Sequence, residues 1–119
     1  MQRKHRLSSS RDFDAVYRHG RSVSTRFLTL HWFEREGEDA AAEPRLGLAV
    51  PRAVGNAVVR NRIKRQLREI WRARLVEGAI APANDYVIAV RPGLPEAVDA
   101  RGYEWLAERV DEVLGKAAA

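Results

Sequence analysis

Apolar positions change period several times along this chain, and each change marks an element. Phe13, Val16 and Tyr17 recur at i, i+3 and i+4 before Gly20, with Ser9 or Ser10 as N-cap and Asp12 in the first turn. That spacing predicts a short helix with an aromatic face. From Ser22 to Phe33 the period falls to two: Leu28, Leu30 and Trp32 share one face, while Phe27, Thr29, His31 and Phe33 share the other. Arg45 to Val50 alternates in the same way until Pro51 stops it. A long helix is predicted next, capped by Asn56 after Gly55 and running to about Val76. Asp85 to Arg91 reads as a strand closed by Pro92-Gly93, and Leu106, Val110, Val113 and Leu114 place a final amphipathic helix over Tyr103 to Lys116. With the first long strand broken in two, the order is α-βββ-α-β-α, which predicts an α+β, two-layer sandwich.

A chain of 119 residues is expected to form one domain, residues 1–119, with a basic flexible N-terminus at 1–7, an acidic loop at 34–44 and a frayed C-terminus at 116–119. There are no cysteines, so disulfides and Cys-based metal sites are excluded. The basic opening is followed by Ser8-Ser9-Ser10 where a secretory signal would place an apolar stretch. No apolar run approaches the roughly 18 residues of a membrane span. A cytoplasmic protein with no membrane contact is expected.

Charge adds the first functional information. The net charge is +5, carried by 18 Arg and 3 Lys against 16 acids. Residues 1–30 carry +5 and residues 45–75 carry +8, whereas 31–44 and 76–119 each carry −4. Cations gathered into two blocks point to a polyanionic partner. The acidic stretch from Glu34 to Pro44 mixes Gly and Ala among its carboxylates, so a solvated loop is favoured over a metal site.

On the strands, the bulky members Leu46, Leu48, Val50, Tyr86, Ile88 and Val90 are assigned to the core. The opposite face then presents Gly47, Ala49, Val87 and Ala89, with Arg45 and Arg91 at its ends. Two readings stay open: a floor for an extended ligand, or small residues that let a helix pack closely.

The strongest local signal is Gly55 to Arg72. Val59, Ile63, Leu67, Ile70 and Trp71 form an apolar stripe, while Asn61, Arg62, Lys64, Arg65, Arg68 and Arg72 cover the other side with only Glu69 among them. Like charges this close repel, so a phosphate-binding face is the better reading. Arg60 falls among the apolar positions and must either escape at the first turn or pack its stem inward.

Arg60-Asn61-Arg62-x-Lys64-Arg65-x-x-Arg68, preceded by Gly55-Asn56-Ala57-Val58, resembles the signature of the bacterial ribonuclease P protein family. The resemblance extends to the opening helix from Leu7 to Gly20, to Arg45-Leu46-Gly47-Leu48-Ala49-Val50 and to Asp85-Tyr86-Val87-Ile88, in order along the chain. It implies a left-handed βαβ crossover, against the usual right-handed preference. It also implies that an RNA subunit is the catalyst, removing the 5′ leader of precursor tRNA with magnesium held mainly by the RNA. The protein alone would not be catalytic, and no protein partner would be required. The partners implied are ribonuclease P RNA and precursor tRNA. Arg60, Asn61, Arg62, Lys64, Arg65 and Arg68 would contact the RNA subunit. Phe13, Tyr17, His31, Arg52 and Arg91 would line the leader-binding cleft, His31 standing where relatives often carry tyrosine. Before the Gly-Asn-Ala stretch this chain has Pro51-Arg52-Ala53, one cation fewer than the family pattern, and after the last strand Arg91-Pro92-Gly93 keeps a single positive charge.

The residues themselves offer little for unaided catalysis. His5, His19 and His31 lack paired ligand spacing, and Asp12 and Asp14 do not converge. The alternative function is a general RNA-binding or ribosome-associated structural protein. A helix-turn-helix DNA-binding role is opposed by the strand-rich layout.

Overall fold

The computed structural model describes residues 6–7, 10–35, 44–80 and 84–118. Helix α1 (Ser10–His19) leads into strands β1 (Arg21–Ser24), β2 (Leu28–Glu34) and β3 (Arg45–Ala49). A 3-10 turn at Arg52–Val54 precedes α2 (Ala57–Val76), then β4 (Asn84–Val90), α3 (Leu94–Arg101) and α4 (Tyr103–Ala118). The extended stretch from Ser22 does break in two, at a turn where Thr25 N donates to Leu28 O (2.8 Å). Asn56 caps α2 as predicted, its side chain accepting from Val59 N at 2.9 Å. Ser9, the other candidate cap of α1, lies outside the described residues, as do 1–5 and 36–43 of the expected N-terminal segment and acidic loop.

The structure adds detail to three local expectations. Helix α3 is additional to the predicted order. Pro95 fits its first turn, where an N–H would be spare, and Gly102 ends it at φ +95°. Only Leu94 and Val98 among its longer apolar side chains are buried, too few to set a periodicity. The last residues expected to fray, Lys116 to Ala118, remain helical. Arg6 and Leu7, expected to be loose, are tied to the sheet: Arg6 bridges Leu46 in parallel, and Leu7 N donates to Leu46 O at 2.8 Å.

The sheet order is β1-β2-β4-β3. β2 pairs antiparallel with β1 and β4, while β3 and β4 are parallel and joined through α2. This α+β sandwich buries Leu28, Leu30, Leu46, Tyr86, Ile88 and Val90 against Ile63, Leu67 and Trp71 of α2, Leu94 and Val98 of α3, and Leu106, Val110 and Val113 of α4. Trp71 meets Tyr86 edge-on at 5.0 Å. A second, smaller cluster of Leu7, Val16 and Val87, with Phe13, Phe33 and Ala49 beside it, seats α1 on part of the other face.

Asp85 fastens that second face. It is 3% exposed, and the Arg45 guanidinium grips it through Nε and Nη2, both at 2.8 Å, while Arg35 Nη1 approaches to 3.2 Å. Arg45 also reaches Asp12 at 3.4 Å, linking the start of α1 to β3 and β4. A buried carboxylate is tolerable only with such partners. Arg45, read from the sequence as an end of the open floor, is therefore committed to holding the fold.

Candidate nucleic-acid interface

On α2 the apolar stripe packs inward, leaving the polar side outward. Asn61, Arg65, Arg68 and Arg72 recur at i, i+4, i+7 and i+11 and so share one line along the helix. The bridge to Leu46 brings Arg6 alongside. Arg6, Arg65, Arg68, Glu69 and Arg72 together line a concavity of about 280 Å³. Burial and then the nearby Arg6 charge lower the pKa of Arg68. Arg6 and Arg72 extend the set carried over from the resemblance. The pairing that brings Arg6 in has a partial signal, since Leu7 is the sole apolar residue of its basic segment after Met1.

The remaining predicted cations are used differently. Arg60 turns back so that its Nε donates to Gly55 O at 3.1 Å, escaping the apolar stripe at the first turn. Arg62 points toward α3, with Nη2 3.5 Å from Asp99 Oδ1. Lys64 is half-buried on the other flank of the helix. At the far end of α2, Arg74 is bound to Asp111 by Nε (2.5 Å) and Nη2 (3.0 Å). That hydrogen bonding holds its pKa above the ordinary arginine value.

The second surface lies on the sheet face that α1 covers only in part. Register places Ser24, Thr29, Ala89 and Ala49 in one row across all four strands. The neighbouring row, His31, Val87 and Gly47, lies beneath α1. A Cβ at Gly47 would sit 2.5 Å from Phe13 Cζ, so this glycine exists for helix packing. Ala49 and Ala89 stay partly exposed, as a ligand floor needs. The two readings of the small residues thus apply to different rows.

Tyr17 rises from α1 beside this low row, and the step between its ring and the row is termed the trough. Tyr17 is 46% exposed and stands edge-on to His31, with ring centroids 4.8 Å apart and planes at 75°. Phe13, 6.4 Å from Tyr17, is half-buried over Gly47 and acts more as an anchor. Burial raises the Tyr17 pKa and lowers that of His31, so near neutral pH the wall presents two uncharged rings. Arg52, in the 3-10 turn, and Arg91, after β4, are exposed at the strand ends on the opposite side of the row. Arg91 Nη1 donates to Thr25 O at 3.3 Å. An uncharged aromatic wall, a low floor and cations opposite suit a strand with stackable bases and phosphates.

Among the described residues, no three His, Asp or Glu side chains come together as a metal site. Among them, too, no helix is long and apolar enough to cross a membrane.

The Ribonuclease P family profile matches residues 1–118. The ribonuclease P protein component of Shouchella clausii is 41% identical over 91 residues, 76% of this chain and 70% of that protein. The Mycobacterium avium component is 38% identical over 99 residues, 82% of each chain. Among solved structures, the Thermotoga maritima RNase P protein superposes with a TM-score of 0.80 at 28% identity, covering 93% of this chain and 96% of that one. A Staphylococcus aureus RNase P protein gives 0.78 at 26% identity, covering 95% and 94%.

Proposed function

This chain belongs to the ribonuclease P protein family, and on that premise we propose a division of labour between its two surfaces. As a ribonuclease P protein component it is part of the holoenzyme that processes tRNA precursors, and its partner is ribonuclease P RNA. In the reading proposed, the Arg65, Arg68 and Arg72 line with Arg6 docks the RNA subunit. The trough beside Tyr17 and His31 takes the single-stranded 5′ leader of precursor tRNA.

The observation that carries this reading is the crowding of four arginines about one concavity with Glu69, among the described residues, as its single acidic lining residue. Guanidinium groups grip phosphate bidentately, and a docked phosphate relieves their mutual repulsion. Arg60 and Arg62, carried over with that set, contribute less in this proposal because Gly55 O and Asp99 already engage them. Asn61 begins the line and Lys64 flanks it, and together they complete the docking face. In the trough, Tyr17 offers a ring edge and face to an unstacked base, while Arg52 and Arg91 meet the sugar-phosphate chain. Phe13 holds α1 in register over Gly47 so that Tyr17 keeps its position.

Cleavage is assigned to the RNA subunit, with magnesium held there. In this reading the RNA carries out the chemical step, and the protein acts by binding. Its contribution is to bind and orient: phosphate contacts neutralise RNA charge, and leader contacts hold the scissile junction against the RNA catalyst.

The test adds purified protein to ribonuclease P RNA at low magnesium and measures cleavage of precursor tRNA with and without a 5′ leader. Stimulation, together with tighter binding of leader-bearing substrate, is expected. No stimulation, or equal binding of both substrates, favours a general RNA-binding protein.

A further inference from the structure

The leader trough does not stop at the edge of the sheet. Its floor row runs from Ala49 on β3 to Ser24 on β1, where the hydroxyls of Ser24 and Thr29 lie 3.0 Å apart at the surface. Beyond Ser24 comes the turn Thr25-Arg26-Phe27. Arg91, at the trough's rim, is bonded to that turn twice: Nη1 donates to Thr25 O at 3.3 Å, and its backbone N–H to Phe27 O at 2.9 Å. Around this corner stands a second aromatic and cationic cluster that the docking face and the trough wall do not use.

Phe27 meets Trp105 edge-on, centroids 5.3 Å apart at 77°. Three guanidiniums lie over these rings: Arg26 at 5.2 Å from the Phe27 centroid, and Arg109 at 5.3 Å and Arg101 at 5.9 Å from that of Trp105. Both rings are only half-buried. Arg109 has Glu108 3.7 Å away, but among the described residues no carboxylate pairs with Arg26, Arg91 or Arg101. Arg26, Arg91 and Arg101 are exposed and so open to a phosphate, although α4 also carries Glu104, Glu108 and Glu112 nearby in the chain. Cations stacked on partly exposed rings, joined to a trough for single-stranded RNA, reproduce the chemistry of sequence-tolerant strand binding.

The polarity of the trough decides what arrives here. In the docking proposed above, the RNA catalyst sits at α2, next to the β3 end of the row, which puts the scissile junction at that end. The leader then runs away from it, toward β1. We propose that Arg26, Phe27, Arg101, Trp105 and Arg109 form an exit site for the 5′-distal part of a long leader, beyond the nucleotides held in the trough. This rests on the leader reading of the trough. It predicts that binding strengthens with leader length, and that the extra nucleotides are recognised by charge and stacking without sequence preference.

The experiment uses the reconstituted holoenzyme and precursor tRNAs carrying no leader, a short leader that only fills the trough, or a long one. For the unaltered protein, affinity should rise at the first step and again, about three- to tenfold, at the second, the scale of one or two added phosphate contacts. Arg26→Glu combined with Arg101→Glu, both exposed positions, should abolish the second rise and keep the first. The preserved first rise also reports that the variant is folded. A second rise that persists in the double variant overturns the exit site, as does its absence in the unaltered protein. A uniform loss for all three substrates overturns it too, in favour of a contact with the RNA subunit. Absence of the first rise in the unaltered protein would instead refute the trough reading and the exit site with it.

Discussion

The two faces of the sheet are built from the same alternation and come to opposite ends. On one, Leu28, Leu30, Tyr86 and Ile88 are fully covered by α2, α3 and α4. On the other, α1 covers Gly47 and Val87 but leaves Thr29, Ala49 and Ala89 partly open. Side-chain size and the length of the covering helix make the difference. Three helices, two of them long, close the first face. One ten-residue helix, pinned by Asp12 and Phe13 at one end, covers less than the width of the second. The closed face supplies stability and the open face supplies a surface, which separates the consequences of mutation.

Leu67→Ala should produce the largest effect, about 2–5 kcal/mol of lost stability in denaturant unfolding, since Leu67 is fully buried between α2 and the sheet. RNA affinity of the fraction still folded should not change, and a selective affinity loss would break the separation. Arg65→Ala and Arg74→Ala divide the outer side of α2. The first should reduce the slope of log affinity against log salt by about 0.7 for one phosphate no longer neutralised, without unfolding the protein. The second should leave that slope alone and remove under about 1 kcal/mol of stability, as expected of a partly exposed pair with Asp111.

Gly47→Val probes the covered row of the open face. Its side chain would collide with Phe13, costing about 1–3 kcal/mol and weakening leader binding by displacing α1. Tyr17→Ala should weaken leader-bearing substrates by about 1–3 kcal/mol while sparing mature tRNA and stability. Equal losses for both RNAs would deny the wall its role. The smallest effect is on pH dependence. Burial lowers the His31 pKa in the folded protein, so the unfolded chain binds the proton more tightly. Stability should be fully present above the usual histidine value of 6.5 and decline as pH falls below it, and His31→Gln should remove that part of the decline in an unfolding titration.

What was legible in the sequence follows from which signals are local. The cap and length of α2, the alternation of β3 and β4, and the aromatic face of α1 all depend on residues within a few positions of one another. Helix α3 is too short and too sparsely apolar to show a period, and missing it hides a second fact: Asp99, on that helix, engages Arg62. The clamp of Asp12, Arg45, Asp85 and Arg35 joins positions far apart in the chain, so charge counting leaves Arg45 free when the fold does not. Arg6 enters the cationic concavity through a backbone pairing with Leu46, which a basic segment in isolation does not announce.

That pairing has a consequence for solubility. β3 is the outermost strand on its side, and a strand margin with unpaired amides is a template on which other chains can add. Arg6 and Leu7 occupy part of that margin, and on the opposite side β1 is only four residues long. Less of that margin is left for intermolecular sheet growth, so the short N-terminal stretch that brings Arg6 to the cationic concavity also shields an edge on which copies of the protein could stack.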